Sequence, residues 1–162
     1  MIPINLLDGL RDFIQKQVSG YEYSYKRADG SVDMKTPKVY SGYLPVRTRH
    51  DLEFSPFIIV KLKKINDNDD ISTADIRIIF TTHDDDDVDN WRSQFNLMEH
   101  VRQALLKHRT IANKFRLELP VVSEASEYSQ SPYPEGYGTI ETTYQIGQVQ
   151  EEGLFNGYYG EE

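Results

Sequence analysis

Two stretches, FIIVKLKKI at residues 57–65 and DIRIIFTTH at residues 75–83, decide the fold of this chain. Both are rich in β-branched residues, which pack well on the pleated surface of a sheet. The segment between them, residues 66–74, is polar and short enough to connect neighbouring strands. The first stretch begins with four apolar residues, FIIV, a pattern typical of burial on both faces. The sequence therefore predicts an antiparallel pair at the centre of a sheet.

Helical periodicity flanks this pair on both sides. Apolar residues recur every three or four positions in residues 4–18, which predicts an amphipathic helix containing Gly9. Its predicted buried stripe is Ile4, Leu7, Leu10, Ile14 and Val18, with Phe13 beside it. A second helix is predicted for about residues 88–108, with Trp91, Phe95, Leu97, Met98, Val101, Ala104 and Leu105 facing the core.

Four further segments are predicted as strands. They are residues 21–27, a short strand around Tyr40–Val46, residues 114–122 and residues 139–149. The predicted fold is α+β: an antiparallel or mixed sheet of about four to five strands, with two helices packed on one face. We expect a single domain over residues 1–147, interrupted by a long excursion at about 26–56. Residues 148–162 have no core-like periodicity and are expected to form a flexible acidic tail.

Charge is distributed unevenly along the 162 residues, although the net charge is -8. From Lys26 to His50 there are six Lys or Arg residues against two Asp residues, and after Arg116 there are nine Glu residues and no basic residue. A basic part and an acidic part in one molecule favour head-to-tail association of copies. No apolar run is long enough for a transmembrane helix, so no membrane partner is expected, and residues 1–17 do not resemble a signal peptide.

The stretch TTHDDDDVDNW, residues 81–91, is the candidate for chemistry. Its Asp84–Asp87 run could bind a divalent cation, which would suit a metal-dependent enzyme. However, the run lacks the alternating acids, glycine and terminal Glu of an EF-hand loop. Carboxylates before a helix also accept hydrogen bonds from its free N–H groups, and Asp87 is the predicted N-cap. We therefore expect a structural role, with no catalytic residue, metal or other cofactor.

Catalytic patterns of other kinds are absent from the sequence. There is no cysteine, no HExxH, no GxSxG, no P-loop and no GxGxxG. Tyrosine instead clusters in a loop rich in Pro and Gly, where Tyr128, Tyr133 and Tyr137 are candidate contacts with other subunits or partners. Arg47 and Arg49, in the basic excursion, are candidates for the same role. These observations favour an assembly protein over an enzyme.

Three stretches in order, VDNWRSQFNLMEHVRQALL (88–106), KFRLELP (114–120) and SPYPEGYGTIETTYQI (131–146), resemble the tail terminator, or tail completion, proteins of long-tailed bacteriophages. The resemblance covers about residues 57–147. It implies a small α+β subunit that forms a ring, usually a hexamer. Such a ring caps the tail tube, stops its polymerisation and presents a surface to the head connector.

The resemblance also implies partners and a location. The partners would be further copies of the chain, the tail tube protein and the head–tail connector or neck protein, while DNA would pass through the ring without specific binding. The protein would be assembled in the host cytoplasm and reside in the tail of the virion. Another virion component stays open as an alternative, either a neck or head-completion protein or a tail tube subunit. A tube subunit is expected to carry a long β-hairpin arm, for which residues 21–56 are the candidate.

Overall fold

The computed structural model describes residues 2–26, 31–43, 56–82, 87–125 and 137–151. Within these ranges the chain forms two helices and eight strands. They are α1 (Ile2–Val18), β1 (Tyr23–Lys26), β2 (Val32–Lys35), β3 (Lys38–Ser41), β4 (Phe57–Asp67), β5 (Ser72–Thr81), α2 (Asp87–Lys107), β6 (Thr110–Ile111), β7 (Phe115–Ala125) and β8 (Tyr137–Ile146).

Six strands form one mixed sheet in the order β3-β4-β5-β8-β7-β6, and β1 and β2 form a separate antiparallel hairpin. Strand β3 runs parallel to β4, whereas all the other neighbours in the large sheet are antiparallel. The α+β class is therefore confirmed. The predicted count of four to five strands is too low for this six-stranded sheet, in which β3 and β6 have only four and two residues. Strands this short are defined by their pairing partners rather than by periodicity.

The main core lies on one face of the large sheet, and a smaller buried cluster of Phe57 and Ile59, with Tyr40 and Ile79 packed against it, lies on the other face. In β5 the residues Ala74, Ile76, Ile78 and Phe80 are fully buried on the face of the main core. Each is aligned with β4 on one side and β8 on the other, so that Ile78 lies between Val60 and Ile140. Burying one such aliphatic side chain contributes about 1.5–3 kcal/mol. The first four residues of β4, Phe57–Val60, are all buried, which confirms the prediction of burial on both faces at this point.

Both helices pack against this same face. Helix α1 contributes Leu6, Leu10, Ile14 and Val18, and α2 contributes Leu97, Met98, Val101 and Leu105, to one cluster of buried residues. The predicted stripe of α1 is wrong at its start, because Ile4 is 51% exposed and Leu6 is buried instead. The buried residues of α1 recur at every fourth position, and Ile4 lies off that line. The contact with the sheet, rather than the local spacing, decided which residue of the first turn is covered.

The sheet curls around α1. This helix contacts β3 and β4 at one end of the strand order and also contacts β6 at the other end. At Gly9 the approach is close, since a Cβ atom there would lie 3.1 Å from Cγ2 of Ile111. Glycine weakens a helix by up to about 1 kcal/mol relative to alanine. Here its missing side chain lets α1 lie against the last strand of the sheet.

Helix α2 packs across β8, β7 and β5. Its closest approach is at Gly138, where a Cβ atom would lie 2.2 Å from Sδ of Met98 and 2.6 Å from Nε2 of Gln94. Any side chain at this position would force α2 or its residues to move. Gly138 belongs to the third of the stretches that resemble the terminator family.

The chain after β8 begins with exposed residues. Gln148 donates hydrogen bonds to the backbone carbonyls of Asn68 and Asp69, in the turn between β4 and β5. Residues 152–162, most of the predicted flexible tail, lie outside the described ranges. Among the helices of the described ranges, none has both the length and the apolar character needed to cross a membrane.

Candidate functional site

The face of the large sheet that points away from both helices carries rows of charged residues. In β5 the partly buried residues Asp75 and Arg77 alternate with the core residues. Arg77 is aligned with Lys61 of β4 and Glu141 of β8, and Asp75 is aligned with Lys64 in the same way. The Arg77–Glu141 and Lys64–Asp75 alignments bring opposite charges together, which is favourable, whereas Lys61 and Arg77 are like charges in directly opposite positions, which is unfavourable. We call this surface the open face.

Ion pairs and hydrogen bonds connect these rows. The Arg77 guanidinium donates to the Glu141 carboxylate, and Nζ of Lys63 lies 3.5 Å from the second oxygen of that carboxylate. Nζ of Lys64 lies 3.7 Å from Oδ2 of Asp75, and the Thr143 hydroxyl donates to Oδ1 of Asp75 at 2.9 Å. Such partly exposed pairs contribute about 0–1 kcal/mol each. Their main effect is to keep the open face polar and its charges locally compensated.

A groove of about 460 Å³ lies on the open face beside β7. Its walls combine the charged residues Lys63, Arg77 and Glu141 with Val122 and Glu124 of β7. The groove lies at an irregularity in β7, where the register with β8 shifts between Glu118 and Val122. Such irregularities bend a strand and re-aim its side chains. The groove offers apolar contact and both signs of charge to an incoming chain.

The two edges of the large sheet differ in how they are covered. At β3, Oε1 of Gln15 accepts a hydrogen bond from the backbone N–H of Val39 at 2.9 Å, and Nε2 of Gln15 donates to the carbonyl of Pro37 at 3.0 Å. The side chain of Gln15 thus occupies backbone groups as a neighbouring strand would. This edge is closed by a residue of α1.

At the opposite edge, β6 covers only the start of β7, by pairing with Phe115 and Arg116. The next residue, Leu117, exchanges hydrogen bonds with Arg109 through its N–H and its carbonyl. Beyond it, in the part of the chain that the structure describes, no strand pairs with Leu119–Ala125 on the side away from β8. We call this segment the open edge.

Apolar side chains on the open edge are exposed, Leu119 by 59% and Val122 by 45%. An unpaired strand with exposed apolar residues is a template for pairing with another chain. Proteins protect such an edge with Lys, Pro, bulges or a covering element. This segment contains Pro120, which has no backbone N–H, and its register with β8 shifts between Glu118 and Val122. Only Val122–Ala125 therefore continues a regular ladder with β8.

The hairpin β1–β2 is attached to the helical side of the fold at its base. Tyr23 of β1 is partly buried and packs against the core, and this burial raises the pKa of its hydroxyl. Just before it, the hydroxyl of Tyr21 lies 3.2 Å from Nδ1 of His100, whose Nε2 donates to the carbonyl of Gln17 at 2.8 Å. Met34 of β2 is 54% exposed. The hairpin thus rests on the body through β1 and presents β2 outward.

The exposed side of α2 carries a second compact charge cluster. Arg102 donates to both carboxylate oxygens of Glu99, at 2.7 and 2.6 Å, and Gln103 donates to one of them at 2.9 Å. These hydrogen bonds, first those from Arg102 and then that from Gln103, lower the pKa of Glu99 to about 2. The prediction that Phe95 faces the core is wrong: it is 45% exposed, because it lies four positions before Glu99 on the exposed side of α2. Single exposed apolar residues of this kind are normal, so we do not assign a binding site to this side of α2.

Most of the residues that the sequence nominated lie outside the described ranges. This holds for Arg47, Arg49, Tyr128 and Tyr133, so their interface role stays a prediction. Tyr137 is the first residue of β8 and pairs with Thr81, but the orientation of its side chain is not described. The described structure therefore gives no distances between these candidate contact residues.

Most of the Asp84–Asp87 run also lies outside the described ranges. Asp84–Asp86 lie outside the described ranges, and Asp87 is the first residue of α2. The helix thus begins at the end of the Asp run, and the N-cap role of Asp87 stays a prediction. Among the described residues, no group of three or more His, Cys, Asp or Glu side chains is arranged to hold a metal ion. That finding does not extend to Asp84–Asp86.

Sequence reasoning missed the open face and the open edge. A signal for the face was available, because Lys61 and Lys63 on β4, Asp75 and Arg77 on β5, and Glu141 on β8 recur at every second position. Period-two charge on a strand indicates a side that is not packed on the core. No signal for the edge was available, because an unpaired side depends on the order of strands in the sheet.

Comparison with models of known protein families and with curated proteins found no match for this chain.

Proposed function

We propose that the protein is a tail terminator subunit of a long-tailed bacteriophage. In this proposal, copies of the chain close into a ring, as a hexamer, on the end of the tail tube. The ring stops tube polymerisation and presents a surface to the head connector or neck protein. DNA passes through it without specific binding. The protein acts in the virion tail after assembly in the host cytoplasm, and the proposal requires no cofactor and no catalysis.

The observation that carries this proposal is the spatial arrangement of the three resembling stretches. Their described parts fall on α2, β7 and β8, and α2 packs on both of these strands, which are neighbours in the sheet. The close contact of Gly138 with Met98 joins the first stretch to the third. The resemblance therefore covers one contiguous structural unit, and this supports a shared architecture over a chance similarity of separate segments.

The accessible surfaces give further support. A subunit that joins copies of itself and two other proteins needs several contact surfaces. Away from the buried cluster of Phe57 and Ile59, the groove of the open face and the exposed residues Leu119 and Val122 of β7 are accessible. The compensated charges of the open face suit polar contacts, which favour correct pairing more than they add affinity. The net charge of -8 suits a ring around DNA, since an acidic lumen does not retain the phosphate backbone.

The hairpin favours a second candidate, a tail tube subunit. Tube subunits are expected to extend a long hairpin arm, and β1–β2 is a hairpin separate from the large sheet. Its strands have four residues each, which is short for such an arm. A tube subunit polymerises by itself, whereas a terminator ends the polymer of another protein. The two functions therefore differ in the behaviour of the purified chain.

The test uses tubes assembled from the tail tube protein of the same virus. We expect the purified chain, added at a small fraction of the tube protein, to bind tube ends and to stop their growth. Electron microscopy measures the length distribution and the end density, and a parallel reaction without the chain is the control. Tubes that keep growing in its presence would contradict the terminator function. Tubes formed by the chain alone would favour the second candidate.

A further inference from the structure

The last turn of α2 and the hairpin β6–β7 that follows it form a strongly basic part of the molecule. Residues 104–116 contain Lys107, Arg109, Lys114 and Arg116 and no acidic residue, in a chain whose net charge is -8. Lys107, Lys114 and Arg116 are exposed, whereas Arg109 is partly buried and donates to the carbonyl of Leu117. We call these four cations the basic end.

The basic end lacks the carboxylate partners that other cations of the described ranges have. On the open face, Lys63 and Arg77 contact Glu141, and on α2 Arg102 contacts Glu99. No described carboxylate forms an ion pair with the basic end. Like charges are thus concentrated on one helix turn and one short hairpin without local compensation. A surface of this kind attracts an anionic partner.

An acidic segment of the same chain starts close to this surface. Residues 151–162 contain four Glu residues and no basic residue. Just before them, Gln148 donates to the carbonyls of Asn68 and Asp69, which hold the chain at the turn between β4 and β5. The acidic segment therefore leaves the fold from a fixed point at this end of the sheet.

The basic end lies at the same end of the sheet. Arg116 of β7 is aligned with Gln145 of β8, and Gln145 is aligned with Thr73, close to the turn between β4 and β5. Neighbouring strands are about 4.8 Å apart, so β7 and β5 are separated by roughly 10 Å here. The 11 residues 152–162 span up to about 36 Å when extended. The segment is thus long enough to reach the basic end of its own copy.

We infer that the acidic residues 151–162 bind the basic end of the same chain. The tether gives the segment an effective concentration on the order of millimolar, which favours this contact over one with the segment of another copy. Single exposed ion pairs are weak, so the contact depends on several charges together and requires no fixed conformation of the segment. The bound segment covers the basic end against other anionic partners until it is displaced. This inference goes beyond the proposed function and does not depend on it.

Cross-linking tests the contact, because the chain contains no cysteine. The double variant Thr110→Cys with Asn156→Cys places one thiol on the exposed side of β6 and one in the acidic segment. A short bismaleimide is added to dilute full-length protein, and mass spectrometry measures the fraction of monomer in which the two thiols are joined. We expect intramolecular cross-linking at low salt that falls by about threefold or more at about 1 M salt, where the Debye length is about 3 Å.

A charge-neutralised variant separates binding from random encounter of the tethered segment. Neutralisation leaves the tether and both thiols unchanged and should lower the cross-linked fraction by about threefold or more. The neutralising changes are Glu151→Gln, Glu152→Gln, Glu161→Gln and Glu162→Gln. The matched control removes four exposed carboxylates elsewhere, so that the net charge is the same, and should leave the fraction unchanged. The control changes are Glu22→Gln, Asp69→Asn, Asp70→Asn and Glu124→Gln.

Reversal of charge on both partners completes the test. Lys114→Glu with Arg116→Glu should lower the cross-linked fraction, and lysine in place of the four Glu residues of the segment should restore it in that background. These exposed cations have no described ion pair to lose, so the fold is expected to be retained. A cross-linked fraction that is equal in the neutralised variant and its parent would overturn the inference. Cross-linked dimers in place of cross-linked monomers would overturn it as well, because the contact would then join two copies.

Phosphate is the rival ligand for a basic surface, and nucleic acid is its macromolecular source. Fluorescence anisotropy with a short double-stranded DNA tests it on the same proteins. We expect weak DNA binding by the unmodified chain and tighter binding by the neutralised variant, because the basic end is then uncovered. DNA binding that Lys114→Glu with Arg116→Glu abolishes but that neutralisation of the segment leaves unchanged would assign the basic end to phosphate and overturn the inference. All of these measurements use the isolated chain, so their outcome is separate from that of the tube-growth test.

Discussion

Replacing Gly138 with alanine tests how closely α2 is held against β8. The added Cβ atom would lie 2.2 Å from Sδ of Met98 and 2.6 Å from Nε2 of Gln94. These side chains are only 2% and 4% exposed, so they have little space to move into. Both are flexible side chains, and the three atoms nearest to the added Cβ all belong to them. The expected loss is therefore that of ordinary overpacking, about 1–3 kcal/mol of unfolding free energy.

Equilibrium urea unfolding measures this loss. The single Trp91, at the N-terminal end of α2, provides the fluorescence signal. A lower midpoint at an unchanged m-value is the expected result. Gly20→Ala is the matched control, since a Cβ atom at Gly20 would meet nothing within 4 Å. This control is expected to be unchanged or stabilised by about 0.4–1 kcal/mol, through loss of freedom in the unfolded chain.

A double variant tests whether the loss of stability comes from the contact between the new methyl group at position 138 and Met98. Met98→Ala removes the atom nearest to the new methyl group, although it also leaves a cavity. We therefore expect Gly138→Ala with Met98→Ala to lose less stability than the sum of the two single variants. A loss below about 0.5 kcal/mol in Gly138→Ala, or strict additivity with Met98→Ala, would refute the close packing argued from the structure.

Three further predictions concern α2 and its ends. Leu105→Ala, a truncation of a fully buried residue, should cost about 2–5 kcal/mol in urea unfolding, and a loss below about 0.5 kcal/mol would mean that α2 does not cover the core. Asp87→Ala should cost about 0.5–2 kcal/mol of unfolding free energy through loss of a cap. The double variant Asp84→Asn with Asp85→Asn should leave stability and assembly intact. The structural role would be contradicted if the chain bound a divalent ion with micromolar affinity and this double variant abolished that binding. The lowered pKa of Glu99 means that its hydrogen bonds stabilise the fold fully above about pH 4.5 and are lost as the pH falls through about 2. Acid unfolding of Glu99→Gln should therefore show a slightly smaller loss of stability over this range, about 0.3–0.5 kcal/mol for an exposed helix pair, and an unchanged profile would argue against the contribution.

Local periodicity was sufficient for the elements that bury many residues. The predicted strands at 57–65 and 75–83 correspond to β4 and β5, and the predicted helix at about 88–108 corresponds to α2. The α2 residues Leu97 and Leu105 are buried as predicted. Each of these segments is long, so its repeat of apolar residues favours one conformation and one buried side. A repeat of that kind is a property of neighbouring residues and can be read without knowing their partners.

By itself, the sequence determined the α+β class, the long elements and the uneven charge, because these follow from local spacing and composition. Only the tertiary structure decided the order of the six strands, the parallel addition of β3 and the curling of the sheet around α1 at Gly9. It also decided that Ile4 is exposed, that Gln15 occupies backbone groups at β3, and that among the described residues no strand pairs with Leu119–Ala125 on the side away from β8. These features depend on contacts between residues far apart in the chain. Such contacts are selected by the packing of all elements together, which no local repeat encodes.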